Sequence, residues 1–127
     1  MRWGPTSKAK YGNRKVKWYG ETFDSQHELD RYQQLLLLQK AGEITDLKRQ
    51  VKYVLIPAQR EPDTVGPRGG IKKGALIERE RSYIADFVYK LPDGETVVED
   101  AKGFKTETYL LKRALMLWVH GIRVQEV

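Results

Sequence analysis

Two aspartates and a lysine lie in two short apolar segments of the sequence. Asp86 interrupts the run Tyr-Ile-Ala-Asp-Phe-Val-Tyr, and Asp100 and Lys102 come shortly after Val97 and Val98. An ionised carboxylate inside an apolar strand needs a cation as partner, or it holds a proton. Two such carboxylates could bind a divalent cation, and the lysine could stabilise negative charge on a phosphate. These residue types therefore predict metal-assisted chemistry at a phosphate group.

The residues between the two segments decide which carboxylates meet. The segment 92–94, Pro-Asp-Gly, suits a three-residue hairpin loop with the glycine in the left-handed position. Counting outward from this loop places Asp86 opposite Asp100, at about 5 Å between Cβ atoms, with Lys102 on the same face. A two-residue loop would instead give Asp86 the same side as Glu99, so the choice between the two neighbouring acids depends on the loop.

The alternative to a metal site is an ion pair between Asp100 and Lys102 on an exposed strand face. That ion pair would leave Asp86 without a partner inside its apolar strand. A divalent cation satisfies both acids, and Mg²⁺ is the expected one because it binds one or two carboxylates and keeps several waters. Mn²⁺ is expected to substitute for it.

A helix is predicted before these segments, over residues 26–41. Ser25 suits its N-cap, Glu28 has the spacing of a capping box, and Gly42 ends the helix. The four consecutive leucines at 35–38 wrap around most of the helix, whereas a helix with one buried face needs a narrower stripe. We therefore expect this helix to be covered on two sides, by its own core and by a partner subunit or the N-terminal segment.

The remaining segments predict an α/β fold of the α+β type, with a mixed central sheet flanked by helices. Three strands form an antiparallel meander, and a second helix returns a fourth strand to the same sheet. Residues 58–82 are rich in glycine, proline and charge and are predicted to be a long flexible loop. The predicted elements after the first helix are strands 50–57, 82–89 and 95–101, a helix from Thr106 or Thr108 to His120, and a strand at 122–127. Apolar residues with helical spacing are predicted to be core, namely Tyr109, Leu110, Ala114, Leu117 and Trp118.

Composition restricts the classes of function. The 127 residues suit one domain, 1–127, and the formal charge of +6 favours a polyanion as partner. The absence of cysteine excludes disulfides, thiolate metal sites and cysteine nucleophiles. No apolar run is long enough to span a bilayer and no signal segment is seen, so an intracellular, cytoplasmic protein without a membrane partner is expected.

A nucleic acid is the polyanion that the N-terminal segment favours. Residues 1–20 form a basic arm in which aromatic residues are interleaved with cations, a pattern typical of chains that stack on bases and contact phosphates. A short hairpin folded onto the core is the alternative, and the two are compatible. The residues predicted to contact DNA phosphates are Lys8, Lys10, Arg14, Lys15, Lys17, Arg68, Lys72, Lys73, Lys105, Lys112 and Arg113.

The pattern formed by Asp86, Asp100 and Lys102 resembles the D-Xn-(D/E)-X-K signature of the PD-(D/E)XK nuclease superfamily, which has the restriction-endonuclease-like fold. The predicted order α-β-β-β-α-β, from about Ser25 onward, is similar to the core of that fold. The stretches "FDSQHE", "YIADFVY" and "VVEDAKGFKT" look like a phage- and prophage-encoded branch close to Holliday-junction resolvases. The sequence departs from the motif in having Ala85 where a proline often stands.

The resemblance implies catalytic residues Glu28, Asp86, Asp100 and Lys102. Metal ligands would be the three acids and the carbonyl of Ala101, although a capping-box role explains Glu28 without any metal. Gln50 resembles a polar position near the metal in this group. Lys102 would orient the attacking water or stabilise the transition state.

The implied function is a Mg²⁺-dependent endonuclease for branched DNA, most specifically a Holliday-junction resolvase. Such an enzyme would act as a homodimer on four-way junctions and be expressed from a phage or prophage in a bacterial host. The alternatives are an endonuclease for duplex, flap or single-stranded DNA with the same chemistry, and a non-catalytic DNA-binding module that assists recombination.

Overall fold

A four-stranded mixed sheet, two helices and three short hairpin ladders make up the computed structural model, which describes residues 14–127. In chain order the elements are β1 Val16–Trp18, β2 Glu21–Phe23, α1 Gln26–Lys40, β3 Thr45–Ile56, β4 Gln59–Arg60, β5 Thr64–Val65, β6 Ile71–Lys72, β7 Leu76–Glu78, β8 Arg81–Lys90, β9 Thr96–Asp100, α2 Glu107–His120 and β10 Gln125–Glu126. The order in the main sheet is β10-β9-β8-β3, with β10 parallel to β9 and the other pairs antiparallel. The mixed α+β architecture is thus confirmed.

Both helices begin and end where their capping residues predict. The Ser25 hydroxyl accepts the N–H of Glu28 at 3.1 Å, and the Thr106 hydroxyl accepts the N–H of Tyr109 at 3.0 Å. Gly42 follows the C-cap of α1 with φ +81, and Gly121 ends α2 with φ +68. Glycine takes these left-handed angles without the Cβ penalty of other residues.

The hairpin between β8 and β9 has the predicted three-residue loop. Leu91 N–H donates to the Glu95 carbonyl at 2.9 Å, and Gly94 has φ +91. Counted away from the loop, the paired residues of β8 and β9 end with Phe87 opposite Glu99. Asp86 and Asp100 are the next two residues outward, so they face each other. The loop therefore selects Asp100, and not Glu99, as the acid that faces Asp86.

The segment predicted as one long loop contains two nested ladders, so that prediction is wrong in its secondary structure. Strand β4 pairs with β7, and β5 pairs with β6. A Cβ built on Gly74 would lie 1.7 Å from the carbonyl oxygen of Glu61, so this close approach requires glycine. β3 is also longer than predicted and begins at Thr45.

The core lies on both faces of the sheet. The cluster on the α2 side contains Leu55, Tyr83, Ala85, Val98, Tyr109, Met116 and Val124. The cluster on the α1 side contains Leu35, Ile44, Phe87, Tyr89 and Ala101.

In β8, the alternation of side chains between the two faces of the sheet is interrupted at Asp86. Tyr83 and Ala85 pack on the α2 side, whereas Phe87 and Tyr89, also odd-numbered, pack on the α1 side. Gln50 of β3 stands at the corresponding place in the β3–β8 ladder and has a left-handed backbone, with φ +54. This irregularity brings Tyr83 to the same side of the sheet as Asp100.

The predicted core face of α2 is partly wrong. Tyr109 is buried and Leu110 is half-buried, but Ala114, Leu117 and Trp118 are exposed. Met116 is instead the fully buried residue of this helix. Apolar residues surround most of α2, so spacing alone could not identify the side that meets the sheet. No helix among residues 14–127 is long and apolar enough to cross a membrane.

Candidate active site

Glu28 lies in the first turn of α1 and is buried. Its Oε1 accepts the backbone N–H of Asp24 at 3.0 Å, so the carboxylate closes the turn that precedes the helix. Its Oε2 points to β3, where Nε2 of Gln50 and a guanidinium nitrogen of Arg49 each lie 3.3 Å away. Glu28 thus acts as a capping residue with one oxygen and faces the sheet with the other.

Asp86 is buried in the middle of β8, and Asp100 is buried at the end of the neighbouring strand β9. Asp86 Oδ2 accepts the N–H of Ala101 at 2.8 Å. Asp100 Oδ2 accepts the hydroxyl of Tyr83 at 2.6 Å, while its Oδ1 is buried without a hydrogen-bond partner in residues 14–127. An unsatisfied carboxylate oxygen away from water is costly, which makes this atom notable in the site.

The three acids share one pattern of hydrogen bonding. In each carboxylate, one oxygen accepts a hydrogen bond of 3.0 Å or less. The donor is the N–H of Asp24 for Glu28, the N–H of Ala101 for Asp86 and the hydroxyl of Tyr83 for Asp100. The second oxygen has only contacts of 3.3 to 3.4 Å, or none. Carboxylate oxygens are the ligands that Mg²⁺ prefers, and of these three second oxygens only that of Asp100 has no hydrogen bond within residues 14–127.

Gln50 connects two of the acids. Its Nε2 lies 3.3 Å from Glu28 Oε2 and 3.4 Å from Asp86 Oδ1. A single amide group thus donates toward both carboxylates. Arg49 adds its charge beside Glu28 and stacks on Phe23, with the guanidinium carbon 3.8 Å from the ring centre.

A cleft of about 370 Å³ opens over these residues. Glu28, Asp86, Ala101 and Lys102 line it, so the structure brings together four of the predicted site residues. Asp100 is buried beside the cleft and does not line it. Among residues 14–127, no three histidine, aspartate or glutamate side chains are grouped closely enough to form a ready-made metal centre.

The acidity of Asp86 reflects this environment. Burial raises the pKa of its carboxyl from 3.8 to about 6, opposed by the hydrogen bond from Ala101. The negative charges of Asp100 and Glu28 raise the pKa further, and the ammonium of Lys102 lowers it. Asp86 therefore interacts electrostatically with every other predicted catalytic residue.

Glu99 lies on the other side of the sheet. Arg31 binds it with two hydrogen bonds, Nε to Oε1 at 2.9 Å and a terminal nitrogen to Oε2 at 2.6 Å. The hydroxyl of Tyr89 donates to the same Oε2. This buried acid is fully partnered by a cation and a hydroxyl, so it needs no metal.

The predicted DNA-binding residues fall into several groups. Arg14, Lys15 and Lys17 are exposed near β1, and Lys15 lines the cleft with its ammonium 3.0 Å from Asp24. Lys8 and Lys10 lie outside the described residues. Arg68, Lys72 and Lys73 are exposed in the segment 58–82, which contains the two nested ladders. Lys112 is half-buried on α2.

Lys105 and Arg113 both bind the same carboxylate. Glu126 Oε1 lies 3.0 Å from Lys105, and Glu126 Oε2 lies 2.7 Å from Arg113. Although its partial burial opposes the effect, the hydrogen bonds from Arg113, Lys105 and Tyr109 lower the pKa of Glu126 to about 2. These two cations are therefore paired within the protein.

Sequence reasoning missed two residues that contact the site. Tyr83 holds Asp100, and simple alternation along β8 places it on the wrong face because of the irregularity at Asp86. Arg49 contacts Glu28, and its only signal in the sequence was a basic residue, next to Lys48 and directly before Gln50. His27 and His120 lie against the backbone carbonyls of Val127 and Val54.

The structure is a mixed α+β domain in which two buried acids and a lysine line one cleft and a third acid, Asp100, is buried beside it. A family model described as "Protein of unknown function (DUF1064)" matches residues 8–121, and the chain belongs to this family. No curated protein matches the chain, and no solved structure matches it.

Proposed function

We propose that this chain is a divalent-cation-dependent endonuclease of the PD-(D/E)XK type that cleaves branched DNA, most specifically a Holliday-junction resolvase. The observation that carries the proposal is the shared pattern of Glu28, Asp86 and Asp100, in each of which one oxygen accepts a short hydrogen bond and the other has longer contacts or none. The order of helix, meander, helix and strand supports a restriction-endonuclease-like core.

The chemistry of these residues suits Mg²⁺, or Mn²⁺ in its place, and in residues 14–127 the three acids would have to come closer together to share one ion. Glu28, Asp86 and Asp100 would hold it through the oxygens that lack short hydrogen bonds, with the carbonyl of Ala101 as a further ligand. When bound, the cation would neutralise charge on the phosphate and activate the attacking water. No thiol or further histidine is needed, because oxygen ligands alone suit this cation.

The chain's own residues perform the remaining tasks. Lys102 lines the cleft, where its ammonium would stabilise the charge that develops on a phosphate oxygen. Tyr83 orients Asp100, and the N–H of Ala101 orients Asp86, so both acids are held before substrate arrives. Preorganised groups of this kind stabilise a transition state without reorganisation during the reaction.

The basic surface supports DNA as the substrate. Lys15 reaches the rim of the cleft, and Arg14 and Lys17 are exposed on the adjoining segment. Cations placed in this way would contact phosphates without reading bases. Expression from a phage or prophage, inside a bacterial cell, remains the corresponding prediction for its origin.

A homodimer is part of the proposal, because paired cuts in a four-way junction need two sites related by the junction's own two-fold symmetry. Leu35 is buried inside the chain, whereas Leu37 is exposed, so part of the leucine run is available to a partner. Sedimentation of the wild type and of Leu37→Glu at micromolar concentration tests this. A wild-type monomer that still makes paired cuts would contradict the dimer.

The proposed function is tested by cleavage of labelled four-way junction, flap, duplex and single-stranded DNA in Mg²⁺. We expect the junction to be cut fastest, Mn²⁺ to substitute, and chelator to abolish the activity. Asp86→Asn is the matched inactive variant, and it should still bind DNA because it loses a charge that repels phosphate. Binding without cleavage of any substrate by the wild type would favour the non-catalytic DNA-binding module.

A further inference from the structure

A second basic surface lies at the tip of the segment between β3 and β8. This tip, residues 64–73, consists of β5, β6 and the turn that joins them. No residue of the tip lines the cleft that the structure describes. Ile56 and Arg81 pair where the segment leaves the main sheet, and Arg81 lies about 17 Å along β8 from Asp86. The tip is therefore a surface distinct from the cleft.

The tip exposes two apolar side chains that belong together. Val65 of β5 is paired with Ile71 of β6, and they are 76% and 78% exposed. Paired residues share one face of a ladder, so the two side chains form a single apolar surface. The turn between them is held by two hydrogen bonds, from the N–H of Gly66 to the carbonyl of Gly70 at 2.7 Å and from the N–H of Gly69 to the carbonyl of Gly66 at 3.0 Å.

Cations surround this apolar surface. Arg68, Lys72 and Lys73 are exposed, and the sequence of the tip contains no acid. Within residues 14–127, none of the three forms an ion pair, unlike Lys105 and Arg113 on α2. An apolar centre with unpaired cations around it is complementary to a polyanion that also presents apolar groups, and DNA is such a polyanion.

The dimensions of the tip favour one groove of duplex DNA. Two paired strands lie about 4.8 Å apart, and their side chains widen the ribbon to about 10 Å. The major groove, about 12 Å wide, admits a two-stranded ribbon, whereas the minor groove is only about 6 Å wide. Thymine presents its methyl group in the major groove, and apolar side chains contact that methyl group.

We propose that the tip lies in the major groove of a duplex arm of DNA, with Val65 and Ile71 against thymine methyl groups. Arg68, Lys72 and Lys73 then contact the phosphates of the groove walls. The tip gives the protein a preference for thymine in the arm, separate from any selection at the cleft. This inference rests on the proposed function, because it takes DNA as the partner.

Binding in chelator tests the apolar contact without cleavage. Two A·T-rich duplexes are compared, identical except that uracil replaces thymine in one, so that they differ only in methyl groups. We expect the wild type to bind the thymine duplex about threefold or more tighter, since each buried methyl group contributes to affinity. Val65→Thr with Ile71→Thr keeps β-branched side chains, which suit strands, and should bind the two duplexes equally.

Two further variants separate the apolar contact from charge. Lys72→Ala with Lys73→Ala should lower the slope of log affinity against log salt concentration by up to about 1.8 and keep the preference for thymine. Leu111→Ala removes an apolar residue of α2 that is 61% exposed and should change neither quantity. Equal binding of the two duplexes by the wild type, or an unchanged preference in the double threonine variant, would overturn the inference.

A second copy of this chain is the other candidate to cover Val65 and Ile71. Sedimentation decides this: a wild-type dimer that the double threonine variant converts to a monomer, with equal binding of both duplexes by the wild type, would also overturn the inference. The outcome is separable from the proposed function. A thymine preference that depends on the tip, in a protein that cuts no DNA in Mg²⁺, would end the nuclease proposal alone. Cleavage of branched DNA with equal binding of both duplexes would end this inference alone.

Discussion

Glu99 and Asp100 are neighbours in sequence, both buried, and held in opposite ways. Glu99 receives two hydrogen bonds from Arg31 and a third from Tyr89, so its charge is neutralised within the protein. Asp100 has one hydroxyl partner and one buried oxygen without a hydrogen bond in residues 14–127. Burial alone therefore does not distinguish the two acids, whereas unused acceptor capacity does, and it makes Asp100 the candidate of the two.

Asp86 contrasts with Glu99 in the same way. Burial first, and then the negative charges of Asp100 and Glu28, raise the pKa of Asp86 to about 6, whereas the charge of Glu99 is met by Arg31. A buried carboxyl with a raised pKa beside other acids is a candidate functional group.

The largest expected effect separates the two neighbouring acids by activity. Asp100→Asn should lower the cleavage rate of the best-cut substrate at least about 1,000-fold, since it removes a charged ligand without changing the shape of the side chain. Glu99→Gln should lower it less than about tenfold, because that side chain points to the opposite face of the sheet from Asp100 and is already paired with Arg31. Initial rates under identical conditions measure both, and the reverse order would identify Glu99 as the site acid.

A second experiment compares the same regions by stability. Arg31→Ala leaves Glu99 as a buried charge without its cation and should lower the free energy of unfolding by about 3 to 4 kcal/mol. Asp100→Asn should change it by about 1 kcal/mol or less, because Tyr83 can still donate to the remaining oxygen.

Urea denaturation measures both variants. Lys15→Ala is the control for loss of a single cation, because its ion pair with Asp24 is exposed and should contribute little. A loss of stability in Asp100→Asn as large as that in Arg31→Ala would contradict the distinction between the two acids.

The smallest of these effects concerns pH. The folded-state pKa of Asp86, about 6, lies above its ordinary value of 3.8, so the folded protein binds more protons than the unfolded chain between these values. The stabilisation of the folded protein by the protonated Asp86 is then fully present below about pH 4, and it is lost as the pH rises through 6. In chelator, we expect the free energy of unfolding of the wild type to fall by about 2 to 3 kcal/mol relative to Asp86→Asn across this window.

Urea midpoints at pH 4, 5, 6 and 7 provide the measurement. The urea midpoints of the wild type and of Asp86→Asn should move apart as the pH rises, and the variant should have the higher midpoint at pH 7. Parallel curves, or a variant that becomes the less stable one, would mean that Asp86 is not strained by its burial and its neighbouring acids.

The parts of the fold that sequence predicted well depend on local chemistry. The capping residues Ser25 and Thr106 and the loop at 92–94 act within a few residues of one another, and they gave the helix starts and the hairpin register. That register alone places Asp86 opposite Asp100.

The parts that sequence did not predict depend on distant contacts. The left-handed backbone of Gln50 has no local signal, since the residue is not glycine, and it accompanies the change in alternation that brings Tyr83 to Asp100. The nested ladders in 58–82 have strands of two or three residues, too short for a period-two pattern to appear. The bidentate contact between Arg31 and Glu99 joins residues far apart in sequence and gives no pattern in either segment.

The carboxylate of Glu126 has a consequence for counterion release. Each phosphate that a protein cation neutralises releases condensed ions from DNA, with about 0.9 log units of affinity lost per tenfold rise in salt. Lys105 and Arg113 already have an anionic partner in Glu126, so a phosphate that binds them must displace that partner and leave it unpaired. For the proposed DNA binding, the slope of log affinity against log salt concentration should therefore correspond to fewer phosphate contacts than there are basic residues on this surface. Glu126→Gln should make that slope steeper by up to about 1.8, which is two contacts.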